Sequence, residues 1–376
     1  MPLIITLTHE ADALQTLRDE WNDLQGRSVA RGAALSWTWI NVWWQHFHDL
    51  GELWLMEARR SEDNRLVGIA PMMRIQVNPR VGLGWQQIEF IGSSHFHEHL
   101  DFIIEPDYEM QVISLFIEKL KQHRNRWDIL RLARLSDTPT LSFLESSEES
   151  WQVNEKQVMI SPYIQLPADI DAWMSSVSKN RRKKQRRYLR YLNETYPDNW
   201  SITQVTDPTH LDKVFDELVE LHQAKWDDTD KSGAFYQYGD LRAYFRDLMH
   251  ALLQDGCLRL YQMVVDGETV VVLFSYYYQG RTYDQVSGVH DISADVPVGH
   301  VMTQHSIAQA IADGADEYTF MWGTEPYKYS FGAKDRIQHA FDLVNSKRVQ
   351  FHKKTAQFLR GIKSRVREVS AGDDDK

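Results

Sequence analysis

Apolar and polar residues recur in two patterns along the first 150 residues of the chain. Apolar positions three or four residues apart predict helices over residues 11–24, 37–50 and 109–123. Alternating or continuous apolar runs predict strands over residues 53–58, 66–75, 87–92, 100–104 and 127–133. Asp63-Asn64 supplies turn chemistry between the first two strands, so we expect those two strands to form a hairpin.

The second half of the chain repeats this order at an offset of roughly 190 to 200 residues. Helices are predicted over residues 170–194, 210–226, 241–254 and 300–313, and strands over 201–205, 258–265, 269–278, 281–289 and 317–322. Asp266-Gly267 is a strong hairpin turn between the second and third of these strands. Hairpin, strand, loop, helix and strand thus occur twice, which predicts a tandem duplication.

Length and composition agree with a two-part globular protein. A chain of 376 residues favours two domains over one, and we place an N-terminal unit at 1–155, a C-terminal unit at 156–345, and a basic helix with a disordered acidic tail at 346–376. The single Cys257 excludes an intramolecular disulfide and a multi-cysteine zinc site. No apolar run reaches the length of a membrane-spanning helix, and the N-terminus lacks a signal-peptide pattern, so we expect a cytoplasmic location.

The net charge of −11 conceals a strongly basic segment. Between residues 179 and 190 there is no carboxylate and there are eight cations, namely Lys179, Arg181, Arg182, Lys183, Lys184, Arg186, Arg187 and Arg190. At helical spacing they cover most of the circumference, which favours an anionic partner such as a nucleotide donor, an acyl-carrier protein, tRNA or anionic lipid. The alternative is a solvated face balanced by acidic surface elsewhere. A second basic stretch, 345–369, has the spacing of an amphipathic helix.

Three alternating histidines form a second unusual cluster. In an extended segment His95, His97 and His99 would share a face with Asp101, which is a credible spacing for metal ligands. No further ligand cluster accompanies them, so we expect no metal and prefer a polar strand that lines a cleft between the halves.

Three segments in the second half resemble a known family. They are a proline-bounded strand at 161–167, the basic run 179–187, and the string Gly323-Thr324-Glu325-Pro326-Tyr327-Lys328. Together with Gly299 and the stretch 314–320, they look like the CelD-type branch of the GNAT acyltransferase superfamily. The stretch 327–332 is also similar to the end of the FemABX aminoacyltransferases, which are tandem GNAT folds.

This resemblance implies an α/β (α+β) protein with two tandem GNAT-like domains, each a mixed, mostly antiparallel sheet flanked by helices. The implied activity is N-acyl transfer from acyl-CoA or acetyl-CoA to an amine. The implied acceptor is an envelope or polysaccharide precursor, that is, a glycan precursor or another small molecule. One alternative is FemABX-like transfer from aminoacyl-tRNA. Another is a non-catalytic GNAT-fold accessory protein of exopolysaccharide biosynthesis, because fold alone does not decide activity.

Candidate site residues follow from the same segments. The donor is expected at Gly299 and His300, which begin a helix, and at Arg181, Arg182 and Lys184 of the basic run. Four candidate catalytic residues have distinct expected roles: Glu325 or Asp284 takes the amine proton, Tyr327 protonates the leaving group, and Lys328 binds a phosphate or polarises a carbonyl. Two alternatives remain open: Glu325 and Lys328 pair with one another, and the turn before Gly299 only starts a helix.

Overall fold

The computed structural model describes residues 2–350 apart from 79–83, 94–97, 148–151, 154–157, 226–232, 238, 294 and 348. The elements of the first half are β1 (Leu3–Thr8), α1 (Asp12–Thr16), α2 (Arg18–Arg27), α3 (Trp37–Phe47), β2 (Gly51–Arg60), β3 (Leu66–Val77), β4 (Trp85–Phe90), β5 (Ile103–Ile104), α4 (Glu109–Gln122), β6 (Ile129–Leu135), α5 (Pro139–Ser146) and β7 (Gln152–Val153).

The elements of the second half begin with two short strands before the basic helix. They are β8 (Met159–Ile160), β9 (Tyr163–Gln165), α6 (Ile170–Ser176), α7 (Lys179–Thr195), β10 (Trp200–Gln204), α8 (Pro208–Ala224), α9 (Arg242–Gln254), β11 (Leu258–Val265), β12 (Glu268–Tyr278), β13 (Arg281–Val289), α10 (Val298–Ala312), β14 (Glu317–Thr319), α11 (Pro326–Ser330) and β15 (Ile337–Val344).

The chain forms two mixed sheets, one mainly from each half. The first sheet has the order β1-β2-β3-β4-β6-β15-β7, with β5 against β3 and β8 against β15. The second has the order β10-β11-β12-β13-β14-β9. Most neighbours are antiparallel, but β4–β6 and β13–β14 are parallel pairs, joined through α4 and α10 respectively. A parallel pair needs a crossover, and a helix is its usual form. The predicted fold class, an α/β protein with two mixed, mostly antiparallel sheets flanked by helices, is confirmed.

The sequence-based prediction is wrong in several details: the helix predicted over 11–24 is α1 and α2, the strand predicted over 100–104 is only β5, and two further differences lie in the second half. The helix predicted over 170–194 is two helices, because Val177 is extended and Ser178 starts a new helix, its Oγ accepting from the Arg181 amide at 3.2 Å. The strand β15 was not predicted. It pairs with β6 of the first sheet, so the range 156–345 also contributes a strand to the N-terminal sheet.

The histidine cluster is only partly covered by the structure. His95 and His97 lie outside the described residues, while His99 and Asp101 are buried. Across the part of the chain that the structure describes, no group of three potential ligands is arranged to hold a metal ion. The predicted basic helix over 345–369 lies mostly beyond residue 350 and is likewise outside the described residues.

Two features of the second sheet position the candidate site. β13 runs beside β14 only as far as Tyr283, which pairs with Thr319, and then continues along β12 alone. The register with β12 also shifts between Phe274 and Ser275, which is a β-bulge beside Asp284. Because bulges re-aim side chains and diverging strands leave a gap, an open cleft forms where β13 leaves β14.

Candidate active site

A cleft of about 190 Å³ lies between β13, the start of α10 and α11. Its polar lining groups are Lys225, Asp284, Ser287, His300, Thr303 and Tyr327. Apolar side chains of β12, β13 and α10, among them Leu273, Val289 and Met302, form the rest of the wall. A cleft in which several polar groups converge on apolar walls is typical of a small-molecule site.

Asp284 is the acidic group of this cleft. It is the first residue of β13 after the last one that pairs with β14, and its half-buried side chain lines the cleft. Burial raises the pKa of Asp284 to about 6, against the lowering effects of the Lys328 ammonium and a hydrogen bond from Tyr318. The Tyr318 hydroxyl lies 3.1 Å from Asp284 Oδ2 and 3.1 Å from Ser306 Oγ. A carboxyl group with a pKa close to neutral can act as a general base.

The start of α10 forms one side of the cleft. Its N-cap is Pro297, which has no side-chain oxygen to satisfy the first amides of the helix, and its first turn holds no acidic residue. Gly299 lies so close to β13 that a Cβ there would be 3.3 Å from Val289 Cγ2. The free amides and the helix dipole make such an end suitable for an anion.

His300 connects this helix end to the basic helix α7. Arg181 Nη1 donates to His300 Nδ1 at 3.2 Å, so the imidazole carries its proton on Nε2. Burial together with the charges of Arg181 and Lys184 lowers the pKa of His300 to about 4. The ring stays neutral near pH 7 and stacks on Tyr327, with 6.0 Å between the ring centroids.

The three cations predicted to bind the donor lie in different environments. Arg181 is only 4% exposed, with its guanidinium 3.8 Å from the Phe331 ring centroid. Arg182 points the other way, and its Nη1 donates to the carbonyls of Met174, Ser175 and Val177 at the end of α6. Lys184 is exposed to solvent, although its charge reaches His300. Of the three, only Arg181 lies buried against the helix end.

Lys328 and Glu325 pair with one another, the alternative that the sequence left open. Lys328 is 3% exposed, and its Nζ donates to the carbonyls of Met321, Trp322 and Gly323 at 3.3, 2.9 and 3.1 Å. Glu325 Oε2 is 2.9 Å from the same nitrogen, and this contact lowers the pKa of Glu325 although burial opposes it. These acceptors use the hydrogen-bonding capacity of the ammonium. Lys328 is therefore better suited to a positioning role than to direct contact with substrate.

The turn that Lys328 holds is strained. Met321 has φ = 56° and Gly323 has φ = 108°, so two of three successive residues adopt the left-handed region. Three carbonyls of this turn converge on one buried cation, which compensates for the strain. Through the same charge, Lys328 acts on Asp284. Tyr327, the neighbour of Lys328, lines the cleft, and burial raises its pKa, so its hydroxyl stays protonated.

Two polar residues near the cleft were not anticipated. Gln185, on the inner face of α7 one turn after Arg181, is 2% exposed. The signal for it was present: it is an uncharged residue inside the cation run, four residues from Arg181. Tyr318, the hydrogen-bond partner of Asp284, carried no signal, because a tyrosine in a strand usually indicates packing.

The proteins to which this chain is similar agree with the position of the cleft. Residues 179–329 match a family model described as an acetyltransferase (GNAT) domain, and this segment contains the whole cleft. No protein of curated function matches the sequence. Among solved structures the chain is similar to FemX, with 12% identity and a TM-score of 0.62 over 92% of this chain and 97% of that one.

A second similar structure, a conserved protein of unknown function from Bacteroides thetaiotaomicron, has 14% identity and a TM-score of 0.57 over 90% of this chain and all of that one. At these identities the structures establish a shared fold. The family match supports acyl or aminoacyl transfer as the general class of activity. Within the described residues, no helix has the length and apolar character needed to cross a bilayer.

Proposed function

We propose that this protein catalyses N-acyl transfer from a thioester to an amine, with Asp284 as the general base. The observation that carries the proposal is a carboxyl group with a pKa of about 6 in the wall of an open cleft, inside the segment that matches a GNAT domain. At neutral pH this group is mostly ionised yet still basic enough to accept a proton from an amine.

In the proposed reaction the amine nitrogen attacks the thioester carbonyl carbon. A C–N bond forms and the C–S bond breaks, while Asp284 takes the proton that the nitrogen loses. The sulfur leaves as a thiol, with a proton from the Tyr327 hydroxyl, and the proton on Asp284 then restores the tyrosine. Apolar residues such as Leu273 and Met302 hold the acyl chain away from water. No serine or cysteine nucleophile takes part.

Acyl-CoA or acetyl-CoA is the donor that the GNAT match favours. The resemblance of the sequence to CelD-type proteins favours an amine of an envelope or polysaccharide precursor as the acceptor. The proposal is tested by incubating the protein with acetyl-CoA and a panel of amino sugars and aliphatic amines. We expect thiol release that depends on the amine, with an N-acyl product detected by mass spectrometry and lost in Asp284→Asn. Thiol release without dependence on any amine would contradict the proposal.

A second candidate function is transfer from aminoacyl-tRNA, which the solvent-facing side of α7 favours. Lys183, Arg186 and Arg190 are exposed there and would suit a nucleic-acid backbone. Binding of tRNA that weakens steeply with salt, together with product from aminoacyl-tRNA and none from acyl-CoA, would select this candidate. A protein that gives no product from either donor would be the non-catalytic accessory protein.

A further inference from the structure

Glu98 is a buried carboxyl group of the first half that contacts the turn held by Lys328 in the second half. Its side chain lies in a residue that is only 4% exposed. Oε1 accepts a hydrogen bond of 2.7 Å from the Trp322 amide. Oε2 accepts two more, from Ser161 Oγ at 2.8 Å and from Gln338 Nε2 at 2.7 Å. Three donors around one carboxyl group suit its ionised form, which only accepts hydrogen bonds.

The surroundings of Glu98 hold it firmly in place. The next residue, His99, has φ = 56°, and its amide donates to Gln338 Oε1 at 3.3 Å, so one fully buried side chain bonds both Glu98 and the backbone beside it. Burial raises the pKa of Glu98, while its three hydrogen bonds and the charge of Arg134 in β6 oppose that rise. Tyr276 of β12 also interacts with Glu98 electrostatically, and burial keeps its hydroxyl protonated.

The peptide group between Met321 and Trp322 lies between two buried ions. Its N–H donates to Glu98 Oε1, and its C=O accepts from Lys328 Nζ at 3.3 Å. Hydrogen bonds to charged groups are stronger than those between neutral groups, and bonds that share one peptide polarise each other. The φ of 56° at Met321 is a strained conformation that needs such support. The two ions thus fix one peptide plane from opposite ends.

The neighbouring amides of this turn use other acceptors. Those of Phe320 and Gly323 donate to backbone carbonyls of the segment 160–162, at 2.9 and 3.0 Å. The Trp322 amide lies between them in the chain and donates to the Glu98 side chain instead. Glu98 therefore replaces a backbone acceptor at the residue whose own carbonyl binds Lys328 Nζ at 2.9 Å.

We propose that Glu98 is a positioning residue of the active site, which fixes the turn at 321–323 from the first half of the chain and so keeps the Lys328 ammonium where its charge acts on Asp284. This inference rests on the proposed function for the role of Asp284 as the base. Lys328 lowers the pKa of Asp284, so the position of the ammonium determines how much of the base is ionised at a given pH. The first half thereby contributes to the reaction without contact with the substrate.

The test is the pH dependence of kcat/KM in Glu98→Gln. An amide has one oxygen, so it cannot accept at both positions, and the turn loosens. We expect the midpoint, about 6 in the wild type, to move upward as the Lys328 ammonium shifts away from Asp284. A direct effect of the lost charge has the opposite sign, because removing a negative group favours ionised Asp284. Turnover should recover above the new midpoint, whereas partial unfolding would lower it at every pH.

A double-mutant cycle tests whether Glu98 acts through Lys328. Because both ions hold the same peptide, the double variant Glu98→Gln/Lys328→Met should have the midpoint of Lys328→Met alone. Asp101→Asn is the matched control. Asp101 is also buried, and burial raises its pKa to about 6, but the hydrogen bonds that act on it come from the first half. We expect its replacement to leave the midpoint at about 6.

A measurement without turnover separates this inference from the proposed function. In protein labelled with [15N]tryptophan, the Trp322 amide signal is identified by its loss in Trp322→Phe. A short hydrogen bond to a carboxylate moves an amide proton downfield, so this signal should move upfield in Glu98→Gln and stay in place in Asp101→Asn. A protein that shows this response but transfers no acyl group would retain the contact and contradict the proposed function alone.

A midpoint in Glu98→Gln that stays at about 6 or moves downward would overturn the proposal. So would additive shifts in the double variant, or an unchanged Trp322 amide signal. Glu98→Asp is the second variant if Glu98→Gln does not fold: it keeps the buried charge but is too short to reach the Trp322 amide, and its midpoint should also rise. Loss of folding in both variants would overturn the proposal, because Glu98 would then serve the fold as a whole.

Discussion

The two halves of the molecule contain the same strand–helix–strand unit, and the cleft with the candidate catalytic residues lies where the parallel pair of the second unit ends. In both, a carboxylate follows directly after the last residue of the parallel pair: Glu89 after Ile88 in β4, and Asp284 after Tyr283 in β13. Glu89 is 1% exposed and accepts a hydrogen bond of 2.6 Å from Gln87 Nε2. Asp284 faces the cleft. The repeated unit thus places an acid at the same point of each half, and the surroundings of that acid decide whether it is enclosed by protein or lines a cleft.

The helices that follow these two strands, α4 and α10, also differ in the charges at their N-terminal ends. α4 begins with Glu109, so its positive N-terminal end carries an acid of the chain itself. α10 has no acid in its first turn and has Arg181 and His300 beside it instead. An anionic ligand would be repelled at the first helix and attracted at the second. The comparison teaches that, of these two helix ends, the start of α10 has the charges that suit an anion.

The largest expected effect, on anion affinity, comes from placing an acid in the first turn of α10, as α4 already has. His300→Glu places a carboxylate in the first turn of α10, where it pairs with Arg181 and occupies the helix end that suits an anion. We expect pyrophosphate affinity to fall about 100-fold, or about 2.7 kcal/mol, as measured by calorimetric titration. Gln304→Glu, one turn later and outside the cleft, is the matched control. Equal affinity in His300→Glu and the wild type would show that α10 holds no anion.

Removing the buried ammonium at the end of the second unit should reduce stability. Lys328→Met leaves three carbonyls of a strained turn without their donor, and an unsatisfied buried group typically costs 1–3 kcal/mol. We expect the free energy of unfolding in urea to fall by about 2 kcal/mol. Lys334→Met, at an exposed position, should change it by less than about 0.5 kcal/mol. An unchanged free energy of unfolding for Lys328→Met would mean that the turn does not depend on the Lys328 ammonium.

A smaller effect is expected in the pH dependence of turnover. The base must be ionised, so kcat/KM should rise with pH and reach half of its maximum at about 6, the pKa of Asp284. Lys328 lowers that pKa, and its removal in Lys328→Met should therefore move the midpoint upward. A pH profile that is flat between 5 and 8, or a midpoint that moves downward, would exclude Asp284 as the ionising group.

Much of this architecture could be predicted from the sequence, and the misses have physical causes. The hairpin at Asp266-Gly267 and the repeated element order depend on local signals, so the duplication was predictable. The pairing of β15 with β6 was not, because a strand's partner in another sheet leaves no trace in local periodicity. The break at Ser178 was hidden by helix-forming residues on both sides.

Some residues of the candidate site could likewise be predicted from the sequence, and others could not. Asp284, Tyr327, Gly299 and His300 were predicted, and all four line the cleft. For Lys328 the sequence suggested contact with substrate, but only the fold reveals the carbonyls that surround its ammonium. The basic run was evident from composition. Which of its cations is buried depends on the contact between α7 and α10, so Arg181 could not be singled out in advance.

The most direct test of the account is to neutralise the two equivalent carboxylates separately and compare kcat/KM for acyl transfer. Asp284→Asn should lower kcat/KM by about 10²- to 10⁴-fold, the usual contribution of a general base. Glu89→Gln, the matching change in the first half, should stay within about threefold of the wild type, because Glu89 is enclosed by protein. Equal losses in the two variants, or a larger loss in Glu89→Gln, would contradict a single active site in the second half.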